Sequence, residues 1–301
     1  MAAIGPSFLR REPSSDCFNR VFWFRRSFRT GRDHAAPVAH AKTVSEVRDC
    51  PQKALRVNGE NSRANVQNVC EDTSLMFTLN KVVPWGRSFD EYGRMFGLTD
   101  QDLEGRILGC GDGPASFNAE GTRRGCSIVS FDPLYRFDGA AIRTQIESTY
   151  EQIMDQMRRN MNDYVWTTIP SLEALGHTRL QAMQTFLSDY EAGKAQRRYI
   201  QAELPTLPFD TASFDLAVCS HLLFLYSMQL TSEFHRAALD ELCRVAREVR
   251  MFPLLELGGT PSPHVEFVRA HLVSRGFDVL IETVDYEFRR GANQMMRVLR
   301  R

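Results

Sequence analysis

Residues 107–117 read Ile-Leu-Gly-Cys-Gly-Asp-Gly-Pro-Ala-Ser-Phe, in which a short apolar run breaks into three alternating glycines before a stretch compatible with a helix. Because they lack a Cβ, Gly109, Gly111 and Gly113 let the backbone turn tightly and let a ligand approach the main chain closely. The helix that follows would direct its free N–H groups at that ligand. The segment predicts a strand-to-helix turn that binds a nucleotide, although glycines also mark ordinary turns.

A second apolar run, residues 127–131 (Ser-Ile-Val-Ser-Phe), ends in Asp132-Pro133. It lies about 20 residues beyond the loop, where the acidic residue of a βαβ unit accepts hydrogen bonds from ribose hydroxyls. An Asp-Pro pair also forms ordinary turns. The residues alone therefore leave two interpretations of Asp132, a nucleotide ligand or a turn residue.

Two further motifs follow in order: residues 202–209 read Ala-Glu-Leu-Pro-Thr-Leu-Pro-Phe, and residues 214–220 read Phe-Asp-Leu-Ala-Val-Cys-Ser. Together with the glycine loop and Asp132, they resemble class I S-adenosylmethionine-dependent methyltransferases. From about Met76 to the C-terminus, residues 83–89 and 220–226 included, the chain is similar to a bacterial branch of that family with no assigned substrate. One position departs from the family pattern, because Ile107 stands where an acidic residue is usual. Contact with the amino group of the cofactor must then come from elsewhere.

The resemblance implies S-adenosylmethionine as the cofactor. The loop would pass under its methionine and ribose parts, Asp132 would hold the ribose hydroxyls, and Glu203 with the Leu204 backbone would meet the adenine edge. Glu203 could equally be a surface residue at a strand end. The predicted cofactor-binding residues are Gly109, Cys110, Gly111, Gly113, Asp132, Glu203, Leu204 and Ser220.

Candidate catalytic residues follow the run 214–220, at the sheet edge where open α/β sheets bind ligands. His221 is the first candidate for a general base, since its unperturbed pKa lies near 6.5, and Tyr226 is the second. The alternative for His221 is a histidine hydrogen-bonded into its loop. Arg87 and Tyr92 precede the first strand and could fold over the site to bind a carboxylate of substrate or cofactor, although Arg87 could also be an exposed loop charge.

The remaining patterns complete an α/β fold, a doubly wound Rossmann-like seven-stranded sheet with a C-terminal antiparallel hairpin. Periodicity predicts strands at 199–202, 214–219 and 249–255 and helices at 231–247 and 264–275. Two final strands, at about 278–283 and 286–299, would form the hairpin that the methyltransferase family adds to a Rossmann sheet.

Residues 137–198 predict a helical insertion after the second strand, since a plain crossover needs only one helix of about a dozen residues. Its two apolar stripes consist of Ile142, Ile146, Tyr150, Ile153, Met157 and Met161, and of Leu180, Met183, Phe186, Leu187 and Tyr190. An insertion at this sheet edge lies beside the ligand crevice and would form part of the substrate wall. It could instead be a solvent-facing pair, or bury its stripes in a homodimer interface.

Composition and charge limit the classes of protein to which this chain can belong. No apolar stretch of the 301 residues approaches the ~20 needed to span a bilayer, which predicts a protein that does not enter the membrane. Formal charge is balanced overall, but residues 1–45 carry a surplus of five positive charges, so the remainder is mildly acidic. That charge disfavours broad nucleic-acid binding. The acceptor that we expect is a small molecule. The seven cysteines contain no Cys-x-x-Cys pair, which fits a reducing, cytoplasmic compartment and gives no metal-site spacing.

The chain divides into residues 1–75 and 76–301. The first part mixes Arg with Ser, Pro and Asn and lacks sustained periodicity, which predicts a disordered basic extension. It could be an organelle transit peptide, an upstream stretch ahead of a true start at Met76, or a basic arm that touches nucleic acid or anionic lipid. Residues 76–301 would form the methyltransferase domain.

Two other functions stay open for this domain. It could bind the nucleotide without catalysis, as a sensor or interaction scaffold, because folds host many functions and Ile107 departs from the family pattern. It could also be an NAD-dependent oxidoreductase. That class would more typically show Gly-x-Gly-x-x-Gly, whereas position 114 here is Pro.

Overall fold

The computed structural model describes residues 84–301 of the chain. The predictions for residues 1–75 lie outside the described residues. The described part is built on one sheet with the strand order β3-β2-β1-β4-β5-β7-β6. The strands are β1 (Arg106–Cys110), β2 (Ser127–Phe131), β3 (Tyr199–Ile200), β4 (Phe214–Ser220), β5 (Ala246–Phe252), β6 (Phe277–Thr283) and β7 (Gln294–Arg300).

The first five strands of the chain are parallel, and β7 runs antiparallel between β5 and β6. Residues of β1 and β4 are buried almost throughout, as expected for parallel strands covered on both faces. The order reverses between β1 and β4, so a crevice opens beyond their carboxyl ends. This arrangement confirms the predicted seven-stranded methyltransferase fold with its antiparallel C-terminal hairpin.

Helices cover the two faces of the sheet. They are α1 (Phe89–Phe96), α2 (Asp100–Glu104), α3 (Phe117–Arg123), α4 (Gly139–Arg159), α5 (Leu172–Ala195), α6 (Ser232–Val245) and α7 (His264–Ser274). The helix α1 begins with a capping box, in which Ser88 and Glu91 satisfy each other's backbone N–H groups. The cap matters for the site, because it fixes the Glu91 side chain beside Ser88.

The insertion between β2 and β3 consists of the two long helices α4 and α5, as predicted. The stripe of α4 is buried at Ile142, Ile146, Ile153 and Met157, but the helix ends at Arg159, and Met161 beyond it is 40% exposed. The buried face of α5 differs more from prediction. Leu180 and Leu187 are only half-buried, and a charged residue, Arg179, lies fully buried in that face.

Three strand boundaries differ from the sequence predictions. The strand β3 is only two residues long, and β5 begins at Ala246 because α6 already ends at Val245. The last strand begins at Gln294 rather than at residue 286. Residues 284–293 instead form a loop whose Phe288 carbonyl accepts a 2.7 Å hydrogen bond from the Val165 N–H of the insertion. This hydrogen bond to the insertion holds residues 284–293 outside the sheet, where the sequence predicted the first part of the last strand.

Among residues 84–301, no helix combines the length and the apolar character needed to cross a membrane.

Candidate functional site

The glycine loop follows β1 and adopts the backbone that its sequence predicts. Gly111 and Gly113 have φ values of 66° and 51°, in the left-handed region that favours glycine. A Cβ on Gly111 would lie 2.7 Å from a methyl carbon of Leu222. The Gly111 N–H is held by the Phe131 carbonyl at 2.9 Å. The loop therefore lies against the ends of both β2 and β4.

Asp132 organises the other side of this loop. One carboxylate oxygen accepts the Gly113 N–H at 2.9 Å, and the other accepts the Leu134 N–H at 2.7 Å. Burial raises the pKa of Asp132 to about 6, against the opposing effect of these two hydrogen bonds. Asp132 is thus a turn residue and a buried, loop-bound carboxylate at once, so the two interpretations from sequence do not exclude each other.

A second buried carboxylate, Asp112, lies within the loop. It accepts hydrogen bonds from the Tyr92 hydroxyl at 2.8 Å and from the Ser130 hydroxyl at 2.6 Å. Burial raises its pKa to about 7, the two hydrogen bonds oppose that rise, and the charge of Asp132 adds to it. Tyr92 was predicted to bind a carboxylate of a ligand. In the structure, the Tyr92 hydroxyl instead donates its hydrogen bond to Asp112 of the chain itself.

His221 comes directly after β4 and has an unusual backbone. Its φ is 52°, which is uncommon for a residue other than glycine and often marks a functional position. The His221 N–H donates to the Phe252 carbonyl at 2.7 Å, and its Nδ1 lies 2.8 Å from the Ser220 hydroxyl. Burial, with help from Arg87 and Arg179, holds the pKa of His221 well below its usual value. The imidazole is therefore neutral at pH 7.

The Ser220 hydroxyl is the side-chain hydrogen-bond partner of this imidazole. It lies 2.8 Å from Nδ1, and which of the two atoms donates depends on the tautomer of the ring. In the tautomer that carries Nδ1–H, the Ser220 oxygen accepts from the ring. The Nε2 atom then carries no proton and can accept one.

A cluster of charged and phenolic side chains lies beside His221. The Glu91 carboxylate accepts hydrogen bonds from both Nη atoms of Arg179, one of them at 2.7 Å. It also accepts from the Tyr286 hydroxyl at 2.8 Å and from the Ser88 N–H at 2.9 Å. Burial would raise the pKa of Glu91, but Arg179 and then Arg87 hold it below its usual range. Helix α1, the insertion and the loop before β7 meet in this cluster.

Arg87 is the second cation of this region. Its Nη1 donates to the Trp85 carbonyl at 2.7 Å, and its own carbonyl accepts the Ser116 N–H at 3.0 Å. Its Nε is buried without a hydrogen-bond partner, as is the Nε of Arg179. Burial, followed by the charge of Arg179, lowers the pKa of Arg87. Arg87 is half-buried with a fully buried Nε, so it is not a fully exposed loop charge. Its role as a carboxylate ligand stays a prediction.

The other predicted residues lie at the same edge with different exposure. Tyr226 is buried in a short 3-10 turn, and burial raises its pKa to about 12, which makes it a poor base at neutral pH. Cys110 pairs in register with Cys219, and burial followed by this neighbour raises the pKa of its thiol. Leu204 is buried, whereas Glu203 is exposed and forms an isolated bridge with Thr206.

Sequence reasoning missed Glu91, Arg179, Tyr286 and Ser130. Two local signals were present. Arg179 stands four residues from Leu175 and from Met183 on one helix face, so a charge interrupts an apolar stripe. Ser88 and Glu91 have the spacing of a capping box. Neither signal identifies the partner, because Glu91 and Arg179 are 88 positions apart in sequence.

The strand order and the loop between β1 and α3 define a class I methyltransferase fold. No family model matches the sequence. The uncharacterized protein MJ0045 of Methanocaldococcus jannaschii is 32% identical over 225 residues, or 74% of this chain and 98% of that protein. The chain belongs to the same family as this archaeal protein. The predicted bacterial branch stays a prediction.

Two solved structures were also similar. Magnesium protoporphyrin IX methyltransferase from Synechocystis PCC 6803 with bound SAM is 12% identical at a TM-score of 0.38, covering 71% of this chain and 91% of that one. A putative S-adenosyl-L-methionine-dependent methyltransferase from Methanococcus maripaludis is 12% identical at a TM-score of 0.37, covering 70% and 83%.

Proposed function

We propose that this protein transfers a methyl group from S-adenosylmethionine to a small-molecule acceptor. The observation that carries the proposal is the joint geometry of the glycine loop and Asp132. The loop turns through left-handed glycines at the carboxyl ends of β1 and β4, and Asp132 is fixed to it by the Gly113 N–H. Nucleotides bind at this crevice in open α/β sheets.

The chemistry of the donor set supports this cofactor. Each Asp132 oxygen accepts one backbone N–H and keeps capacity for a further hydrogen bond, so the pair suits two neighbouring ribose hydroxyls. Asp112 and Asp132 make this side of the site negative when both are ionised. A cationic sulfonium and an ammonium group would compensate that charge. Ile107 of β1 stands where the family usually has an acidic residue that contacts the amino group of the cofactor. We propose that the nearby carboxylate of Asp112 makes this contact instead.

When bound, S-adenosylmethionine supplies a methyl carbon whose bond to sulfur breaks with both electrons staying on sulfur. The chain then has to hold the nucleophile in line and to accept its proton if it has one. We propose His221 for the second task, because its neutral imidazole can present an unprotonated Nε2 while Nδ1–H is held by Ser220. Tyr226, with its raised pKa, is the weaker candidate.

We propose that the insertion selects the acceptor. Its helix α5 reaches the site through Arg179, and its segment after α4 is joined to the loop before β7 by the Val165 to Phe288 hydrogen bond. The sheet edge would hold the cofactor, and these attached helices would form the acceptor wall. Substitutions on the cleft side of the insertion should then change acceptor turnover much more than cofactor affinity.

The remaining predictions are also proposals. We propose residues 76–301 as the methyltransferase domain, Glu203 and the Leu204 backbone as adenine contacts, and a cytoplasmic location. The four cysteines of the described residues, Cys110, Cys126, Cys219 and Cys243, are all free thiols, which supports a reducing compartment.

Two measurements test the function. Calorimetry of the purified protein should show binding of S-adenosylhomocysteine and much weaker binding of NAD. Tight NAD binding without S-adenosylhomocysteine binding would make the protein a member of the oxidoreductase class. Incubation with methyl-labelled cofactor and a metabolite extract, followed by mass spectrometry, should then reveal a labelled product. Cofactor binding with no labelled product from any extract would favour the sensor function.

A further inference from the structure

Charge is distributed unevenly around the site. Two buried carboxylates lie at the glycine loop: Asp112 is part of it, and Asp132, which follows β2, accepts the Gly113 N–H. A second group of side chains, the guanidinium wall, carries two cations, Arg87 and Arg179, against the single carboxylate of Glu91. Arg179 is fully buried, and Arg87 is half-buried with its Nε atom fully buried. A buried positive group is costly unless an anion or hydrogen-bond acceptors compensate it. The imbalance therefore calls for a negative partner on the guanidinium wall.

Glu91 cannot be that partner for both arginines. One of its oxygens accepts from Nη2 of Arg179 and from the Tyr286 hydroxyl, and the other accepts from Nη1 of Arg179 and from the N–H and hydroxyl of Ser88. A carboxylate has about four lone-pair positions, and these five donors leave none free. Arg87 makes no ion pair within residues 84–301, and its buried Nε has no acceptor.

Arg87 lies near both the insertion and the cofactor loop. Its carbonyl accepts the Ser116 N–H at 3.0 Å, directly beyond the glycine loop, and the other cation of its wall, Arg179, comes from the insertion helix α5. The charge of Arg87 lowers the pKa of His221, Tyr226 and Tyr164, and also that of Tyr92, which donates to Asp112. An anion bound by this guanidinium can therefore come from the acceptor or from the cofactor.

We propose that the methyl acceptor carries an oxyanion, a carboxylate or a phosphate, which Arg87 binds beside His221. The inference rests on the proposed methyltransferase function and narrows its substrate class. A guanidinium suits this task, because its fork of N–H groups matches two oxygens of one anion. The Nε of Arg179 offers a further donor in the same wall, while its two Nη groups keep Glu91 in place. The carboxylate of the cofactor is the other source of the same chemistry.

The experiment compares the full chain with Arg87→Gln and Arg87→Lys, and with Arg143→Gln as a matched control on the exposed face of α4. Calorimetry on protein saturated with S-adenosylhomocysteine measures the affinity for benzoate and for inorganic phosphate. We expect Arg87→Gln to lower the affinity for one of these anions about ten- to hundredfold, which is the effect of losing one or two charge-assisted hydrogen bonds. Arg87→Lys should lose less, and Arg143→Gln should match the parent protein.

A second arm distinguishes the two sources of the anion. Affinities for S-adenosylhomocysteine and for 5′-methylthioadenosine, which lacks the amino-acid carboxylate, are measured on the same variants. If Arg87→Gln leaves both affinities close to those of the parent, the anion belongs to the acceptor. If it weakens only S-adenosylhomocysteine, Arg87 binds the cofactor and the proposal is wrong. Absence of binding of both anions by the parent protein would also overturn it.

A third arm separates this inference from the proposed function. Failure of the parent protein to bind S-adenosylhomocysteine would contradict the function, whatever the anions do. If the cofactor binds and label transfer occurs, the extract is divided by anion exchange before the reaction. Label should then appear in products of the retained, anionic fraction. Label confined to the unretained fraction would contradict an anionic acceptor while leaving methyl transfer established.

Discussion

The Tyr92 hydroxyl donates a 2.8 Å hydrogen bond to the Asp112 carboxylate, which joins the helix α1 to the glycine loop 20 positions away in sequence. Both side chains are almost fully buried. The bond gives Asp112 a donor without giving it a counter-charge. An ionised carboxylate held only by neutral hydroxyls is costly in an apolar setting, and burial accordingly raises its pKa to about 7.

This raised pKa predicts the pH dependence of Asp112→Asn. Between the ordinary value of 3.8 and about 7, the folded protein binds a proton at Asp112 that the unfolded chain does not. The contribution of Asp112 to stability therefore falls as pH rises through this range. Relative to the parent, Asp112→Asn should gain about 2–3 kcal/mol of unfolding free energy between pH about 5 and 7.

Urea unfolding of both proteins without ligand, at several pH values, measures this difference. Asp100→Asn, at an exposed position of α2, is the control and should follow the parent at every pH. A difference between Asp112→Asn and the parent that stays constant with pH would mean that Asp112 titrates normally.

Asp132 should control cofactor affinity. Asp132→Ala removes a carboxylate that is aimed at the proposed ribose position, so S-adenosylhomocysteine should bind more weakly by about 1.5–3 kcal/mol. Because burial raises the pKa of Asp132 to about 6, the affinity of the parent should also fall as pH drops through that value and the acceptor is lost. Calorimetry measures both effects, with the exposed Asp210→Ala as the control. Unchanged affinity in Asp132→Ala would leave Asp132 as a turn residue only.

The buried ion pair between Glu91 and Arg179 should be important for stability. Glu91→Gln leaves Arg179 buried without its counter-charge and should cost about 3–5 kcal/mol in urea unfolding. The double variant Glu91→Gln with Arg179→Met removes both charges and should recover much of that loss. Arg158→Gln breaks an exposed pair with Asp155 and should cost less than about 1 kcal/mol. Equal losses in the single and double variants would mean that the two residues act independently.

His221 can be tested as a base separately from its backbone role. His221→Asn tolerates a left-handed φ better than His221→Ala, and neither side chain can accept the proton. Both should lower the methylation rate about 10²- to 10⁴-fold while cofactor affinity is largely retained. Since burial keeps the pKa of His221 well below 6.5, the rate of the parent should show no loss of base near pH 6.5. Rates within a few-fold of the parent would mean that His221 is not the base and that the protein only positions the reacting groups.

Residues 1–75 should be dispensable for the proposed domain. Their composition lacks the periodic apolar residues needed to join a core. A protein that begins at Met76 should therefore unfold at the same urea concentration and bind S-adenosylhomocysteine with the same affinity as the full chain. Failure of this shorter protein to fold would assign a structural role to the first 75 residues.

The fold was predictable from sequence because its signals are local. Apolar runs of strand length, helical periodicity and glycines at strand ends each depend on a few neighbouring residues. They correctly placed β1, β2, β4, the insertion and the closing hairpin. The errors fell where distant contacts override local preference, as at residues 286–293, which the insertion holds in a loop.

The candidate site divides in the same way. The sequence by itself determined the glycine loop and the positions of Asp132, Ser220 and His221, because these lie at or directly after the carboxyl ends of strands that share one edge. Only the tertiary structure decided that Arg179 and Tyr286 converge on Glu91, from 88 and 195 positions away. Only it decided that Tyr92 serves Asp112 and that Arg87 has no ion pair among the described residues. Neighbours in sequence specify most of the backbone conformation of these strands and turns, whereas the partner of a buried charge is specified by which distant helices and loops pack together.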